Sequence, residues 1–336
     1  MGSDRSASSW NAQKERGSPA MVRLIRWIAL RLGRTPARAL LYPITAYFLL
    51  FAPQARRASR SYLARRFGRP VRTVEVFRHI HCFAATVLDR VYFLTGRDDE
   101  LDVRVHGLEA FKRALDSDRG VLLISAHLGS FEALRTLTRQ RPNLKLRILM
   151  DANQNRAITD LLHELAPDIA ATVIPVEGFN GLLSIHEALT QGALVGMMGD
   201  RINGNEPAVT STLLNAPVAM PRGPFTLPLI TGAPLFFGFG LYRGGNRYDL
   251  HFEAVPLAQP VSRGERNQRI QQLVDQFAQR IEHHLHSAPY NWFNFYDFWS
   301  QGDDSLDQHP TRRAAPHGDR DHGGACTVAA GGKRDT

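Results

Sequence analysis

Short apolar runs recur along this chain with helix-like stretches between them, and that alternation limits the folds open to it more than any other feature. Gly120–Ser125, Leu144–Met150, Thr172–Val176, Ala193–Met198, Pro234–Tyr242 and Tyr248–Val255 have the length and the apolar character of strands. Helical patterns fall between several of them, near 130–140, 154–166 and 179–191. Val76–Leu94 and Ser262–Ser287 are longer helix candidates, the second with Ile270, Leu273, Phe277, Ile281 and Leu285 at helical spacing. Apolar strands separated by helices need cover on both faces. The expectation is therefore an α/β fold with a mixed, mainly parallel central sheet covered by helices.

Charge divides the chain unevenly. Residues 1–70 hold 14 Lys and Arg against Asp4 and Glu15 alone, in a chain of 336 residues with a formal net charge of +9. A cationic N-terminal surface points to phosphate-bearing polymers or an anionic membrane. Leu24, Trp27, Ile28 and Leu32 fall near helical spacing with Arg23, Arg26, Arg31 and Arg34 between them, the pattern of a basic helix lying in a membrane interface. The apolar run Ala39–Ala52 contains Pro43 and is shorter than the roughly 20 residues of a spanning helix, so shallow or tilted insertion is expected. Arg56, Arg57, Arg60, Arg65 and Arg66 then form a candidate headgroup shelf, each contributing about 1 kcal/mol near an anionic surface. The competing reading packs these helices on the protein's own body with a solvated basic rim. Nucleic-acid binding has only the charge in its favour, since no reader motif and no interleaved aromatics accompany it.

The expected organisation is a flexible N terminus over 1–20, membrane-interface helices over 21–70, a main domain over 71–300 and a disordered tail over 301–336. Cys82 and Cys326 give neither a disulfide framework nor metal-ligand spacing. The histidines of the tail do not amount to a metal site either, so no metal is expected, and since no Gly-rich phosphate loop is found, a nucleotide-driven reaction is not expected.

The segment that carries chemistry is Ile124-Ser125-Ala126-His127-Leu128-Gly129-Ser130-Phe131-Glu132. It sits where a buried strand ends, which is where ligands bind in α/β sheets. Within one helix, residues five apart are separated by about 140° and do not face each other. With His127 in a turn and Glu132 in the first turn of a following helix, the carboxylate can meet the imidazole, fix its tautomer and leave the other ring nitrogen to take a proton. The bland reading makes His127 a helix cap and Glu132 a complement to the helix dipole. Spacing alone favours the bland reading, and the placement after a buried strand beside the Gly129-Ser130 turn brings the two level.

These blocks resemble the lysophospholipid acyltransferase superfamily, and in particular its branch of late acyltransferases that add secondary fatty acids to lipid A. His127 and Glu132 match its His-x4-Asp/Glu block. Gly196-Met-Met-Gly-Asp200-Arg201 sits at its strand-end acidic motif, Met220-Pro-Arg222-Gly-Pro-Phe225 with Thr231-Gly-Ala-Pro234 is similar to its last block, and Ile281-Glu282 with Pro289-Tyr-Asn-Trp292-Phe-Asn-Phe resembles its closing signature. The branch has a Tyr-Arg pair after the second strand, which the positions near Met150-Asp151 lack, with Asn155 and Arg156 nearby. Trp10-x4-Glu15-Arg16-Gly17-Ser18 looks more like relatives that accompany polyene-pigment or glycolipid clusters.

The resemblance implies transfer of a fatty acyl group from an acyl carrier protein or CoA thioester to a hydroxyl of a lipid or glycolipid, at the cytoplasmic face of a bacterial inner membrane. His127 would be the general base and Glu132 its orienter. The backbone amides that open the following helix, at Gly129 and Ser130, would bind substrate and the oxyanion. Arg201, held by Asp200, would grip a phosphate of acceptor or donor, with Arg222 a further candidate of that type. The thioester is a co-substrate and no cofactor is implied. Neither Ser125 nor Ser130 lies in a nucleophile elbow, so direct transfer is expected. The rival readings are an acyl hydrolase using water and a membrane-attached lipid-binding protein without turnover.

Overall fold

The computed structural model describes residues 26–117, 119–136, 141, 143–150, 164–167, 171–175, 178–202, 206–257 and 262–299. The expected flexible N terminus, the block beginning at Trp10, Asp151, Asn155, Arg156, most of the helix near 154–166 and the tail from 301 lie outside them.

After a helical segment at 26–31, three helices open the fold: α1 (Arg34–Phe51), α2 (Pro53–Phe67) and α3 (Thr73–Thr95). Then come β1 (Asp102–His106), α4 (Leu108–Leu115), β2 (Val121–Gly129), β3 (Leu146–Met150), β4 (Val173–Pro175), α5 (Gly178–Thr190), β5 (Leu194–Met198), β6 (Ala208–Leu213), β7 (Ala216–Pro221), α6 (Gly223–Thr231), β8 (Leu235–Gly244), β9 (Arg247–Val255) and α7 (Arg266–Ser287). Seven strands form one sheet in the order β1-β9-β8-β2-β5-β3-β4, parallel at every pairing except β8 with β9. The expected mainly parallel α/β sheet is thus present.

Alternation along the strands shows how both faces are covered. On β2, Leu122, Ile124, Ala126 and Leu128 join the core that includes Val274, Phe277 and Ile281 of α7, while Val121 and Leu123 join the core that includes Leu88 and Tyr92 of α3. On β8, Phe237 and Phe239 point to the α7 side and Phe236 to the other. A strand buried on both faces loses the hydrophobic–polar alternation of a one-sided sheet, which is why these runs are apolar throughout.

Two elements go beyond the sequence reading. Strand β1 adds to the sheet edge beside β9, and β6 pairs with β7 as a separate antiparallel hairpin. Leu214 and Asn215 turn that hairpin with φ of 52° and 59°. Two successive left-handed residues match the twist of the flanking strands.

In the N-terminal region, α1 buries Ala37, Leu41 and Thr45 against α3 and its neighbours. Its other side leaves Tyr42, Tyr47, Leu50 and Phe51 between 54% and 65% exposed. The arginine shelf divides. Arg57 and Arg60 are exposed, but Arg66 donates to the carbonyls of Leu285 (2.9 Å) and His286 (3.0 Å) and Arg65 lies 4.9 Å from the centre of the Trp299 ring. Those two cations clamp α2 onto the C-terminal end of the domain. No helix among the described residues is long and apolar enough to cross a membrane.

Candidate active site

The register of the sheet builds the site. Strands β2 and β5 are parallel neighbours with Ser125 opposite Met198, and the Gly199 amide donates to the Ser125 carbonyl at 2.8 Å. Two residues further along each chain stand His127 and Asp200. Adjacent parallel strands end side by side, so the pair meets without any excursion of the backbone. Asp200 is fully buried and accepts twice from one residue: from His127 Nδ1 at 2.8 Å through Oδ1 and from the His127 amide at 3.0 Å through Oδ2. The His127 side chain keeps 27% of its surface exposed, enough for a substrate to reach it.

The electrostatics fix the tautomer. Burial alone would raise the Asp200 carboxyl, but His127 and Arg201, together with the hydrogen bonds from the His127 imidazole and amide, hold it down at about 2. Asp200 is therefore an acceptor, and the imidazole must carry its proton on Nδ1. Nε2 is left with a free lone pair and has no partner among the described residues. Burial, then the nearby Arg201, push the His127 pKa below its ordinary value, with Arg90 adding to this and Asp200 opposing it. At neutral pH the ring is uncharged and ready to accept a proton.

Glu132 does not occupy the place expected of it. Nδ1 of His127 belongs to Asp200, while Glu132 is ion-paired with Arg90 of α3 at 2.7 Å and accepts from Ser130 Oγ at 3.3 Å. The local reason is that β2 continues to Gly129 and only a 3-10 turn, Glu132–Arg135, follows. The carboxylate is thereby aimed at α3 rather than back along the strand.

Gly129 and Ser130 are committed to the backbone. The Gly129 amide donates to the Asn291 carbonyl at 2.8 Å and the Ser130 amide to the Gly240 carbonyl at 2.7 Å, so neither N–H is open to an oxyanion. Gly129 has φ of +74°, and a Cβ there would lie 2.0 Å from the Gly240 oxygen. This close crossing of β2 over β8 is what requires glycine.

Arg201 is likewise held by protein. Its Nε donates to Asn294 Oδ1 at 2.7 Å and its Nη2 to the Phe293 carbonyl at 3.0 Å, so the expected grip by Asp200 is replaced by the C-terminal segment. Arg222 opens α6 and reaches Asn267 of α7, which does not bring it into the His127 group.

The sequence reading places no site residue in the segment that closes the site. Asn294 donates to Asp200 Oδ2 at 3.1 Å while accepting from Arg201, so one amide side chain orients both members of the Asp200-Arg201 pair. The Phe293 amide donates to the His127 carbonyl at 2.8 Å, and Leu128 bridges Trp292. Behind this strap His79 bonds the Trp292 carbonyl at 2.6 Å and Ser59 at 2.8 Å, and burial holds His79 down at about 4 and therefore neutral. The strap lies in the very residues that resemble the closing signature.

Two further groupings have ligand atoms close enough for a metal ion, His106 with Asp249 and His251, and His251 with Glu253 and His284. Their carboxylates are already neutralised by Arg243, Arg247 and Arg280, and they share no residue with the His127 group.

A buried carboxylate, a neutral imidazole with one free nitrogen and two neighbouring guanidinium groups can remove a proton from a hydroxyl and stabilise negative charge that develops beside it. The model of one protein family, described as bacterial lipid A biosynthesis acyltransferase, matches residues 20–300. Comparison with curated proteins gives no match.

Proposed function

Because the chain belongs to the bacterial lipid A biosynthesis acyltransferase family, we propose that it moves a fatty acyl group from an acyl thioester to a hydroxyl of a lipid or glycolipid, with His127 as general base. The observation that carries this reading is the 2.8 Å contact between His127 Nδ1 and the buried Asp200, which leaves Nε2 free on the accessible side of the ring. The acceptor hydroxyl gives its proton to Nε2 as its oxygen attacks the thioester carbonyl. The tetrahedral oxyanion collapses, the C–S bond breaks, and the thiolate leaves with the proton that the imidazolium then returns. Asp200 stabilises the transient imidazolium, the role of the third member of a catalytic triad.

Glu132 serves this scheme through Arg90. The pair fixes a cation close enough to influence His127, where it offsets charge on the oxyanion. Arg201, tied to Asn294, reinforces the same field. An acyl carrier protein or CoA as donor suits the basic surface, since both carriers are anionic.

Membrane attachment through the exposed side of α1 is part of the proposal. Tyr42, Tyr47, Leu50 and Phe51 form an apolar face, with Trp27 and Leu32 also exposed and Arg57 and Arg60 near the start of the next helix. Apolar side chains flanked by cations suit a headgroup–acyl boundary.

The test is acyl transfer by the purified protein, followed by mass spectrometry with an acyl carrier protein or CoA thioester, with and without a hydroxylated lipid acceptor. The expected result is an ester product and free carrier thiol that both require the acceptor. Thiol release at the same rate without acceptor, yielding free fatty acid, would establish the hydrolase instead. Binding of both substrates with no product would leave only a lipid-binding protein.

A further inference from the structure

A cavity of about 540 Å³ opens between α1, α3, the end of β8 and the residues that follow α7, and none of His127, Glu132, Asp200 or Arg201 lines it. The strap separates the two places: Asn291 lines the cavity, while its carbonyl receives the Gly129 amide beside the catalytic histidine. Its walls are largely apolar and aromatic, with Tyr42, Val74, Phe77, Tyr242 and Tyr290 prominent. Tyr42 and Val74 are also exposed, so the cavity runs into the apolar outer side of α1.

The polar part of the lining is one-sided. Arg78 and Arg243 line the cavity and no carboxylate does. Arg78 is exposed and has no hydrogen bond or ion pair among the described residues. Arg243 spends Nε on Asp249 and Nη1 on Ser287, leaving Nη2 over. A cation left without a partner at the mouth of an apolar hollow matches an amphiphile with an anionic head.

We propose that this cavity is a second lipid site, apart from the His127 centre, holding one anionic phospholipid with its phosphate on Arg78 and Arg243 and its upper acyl segments against Tyr42, Val74 and Phe77. A zwitterionic lipid presents the same phosphate but brings an ammonium group towards the two guanidinium groups, so it is held less well. The occupant acts as an anchor, adding a defined headgroup contact to the diffuse attraction of the basic helices.

Native mass spectrometry of the full chain released from detergent micelles doped with phosphatidylglycerol or phosphatidylcholine tests this. One phosphatidylglycerol per protein should be retained over phosphatidylcholine, and Arg78→Glu should weaken that retention roughly tenfold by turning attraction into repulsion. Val74→Trp, which fills the cavity without changing charge, should do the same. Arg113→Glu, an identical charge change at an exposed position of α4 outside the lining, should leave the retained lipid in place. The proposal is overturned if Arg78→Glu and Val74→Trp retain lipid like the unaltered protein, if Arg113→Glu loses it equally, or if the two lipids are retained alike. His127→Ala should hold the lipid normally, so a failure of the acyl-transfer reading would not move this result.

Discussion

Asp200→Asn is expected to lower acyl transfer roughly 10²–10⁴-fold with little change in fold, the range by which a positioned general base assists a reaction. An asparagine is close in shape to the carboxylate it replaces, but it turns the hydrogen-bond logic round. Asp200 accepts both from the ring at Nδ1 and from the His127 amide. The amide oxygen of asparagine can satisfy only one of these, and its NH2 group, if turned to the ring, demands an acceptor at Nδ1. The proton is then driven to Nε2, which removes the lone pair that the acceptor hydroxyl needs. The pH profile should move as well. Asp200 is the group that raises the His127 pKa against burial, Arg201 and Arg90. Without it the imidazole protonates only at lower pH, so the acid limb of the residual activity shifts downwards. A pH–rate profile of the two proteins measures both effects, and an upward shift of that limb would contradict the assignment.

The second large effect is structural. Gly129→Ala should destabilise the fold by about 3 kcal/mol, combining a strained left-handed backbone with an overpacked crossing. The added Cβ would stand 2.0 Å from the Gly240 oxygen and 2.8 Å from its carbon, both backbone atoms that cannot rotate aside. Moving β2 away would also break the Gly129 amide's bond to Asn291 and disturb the strap over Asp200. Gly68→Ala provides the comparison. Gly68 has a similar φ of +64°, but nothing lies within 4 Å of its Cβ position. It should cost only about 1 kcal/mol. Thermal melts of both variants check this, with Gly129→Ala lowered by roughly 6–12 °C for a domain of this size. Equal melting points would show that the crossing has more room than the geometry allows.

The apolar runs were legible because strands buried on both faces carry their burial in composition. Val121–Ile124 and Leu235–Phe237 need no periodicity to be recognised. Strand β1 was not legible for the converse reason: Asp102–His106 lies at the sheet edge, half-buried, with Arg104 between its two valines and polar residues at both ends. The β6–β7 hairpin did leave a signal in the alternation of Val209, Ser211 and Leu213 before Leu214-Asn215, but a turn without glycine is easily passed over.

The candidate site was half legible. His127 and Asp200 could both be placed at strand ends from sequence, and Arg201 beside them. Which acid serves the histidine depended on strand order, because the answer lies 73 residues away on a neighbouring strand rather than five residues away on the same turn. Glu132 is the acid that the local block and its resemblance offer, and the 3-10 turn that sends it to Arg90 is a matter of tertiary packing. Asn294 was hidden similarly, since its contacts with Asp200 and Arg201 exist only once the C-terminal strap has crossed the end of β2.

Whether His127 and Asp200 act as one proton-transfer unit is decided by measuring acyl transfer for His127→Ala, Asp200→Asn and the double variant, with folding verified for each. If the two act together, the double variant loses no more than about the activity lost by His127→Ala alone, because Asp200 works only through the ring. If the two losses instead multiply, Asp200 does not act through the ring, and full turnover in His127→Ala would show that the imidazole is not the base.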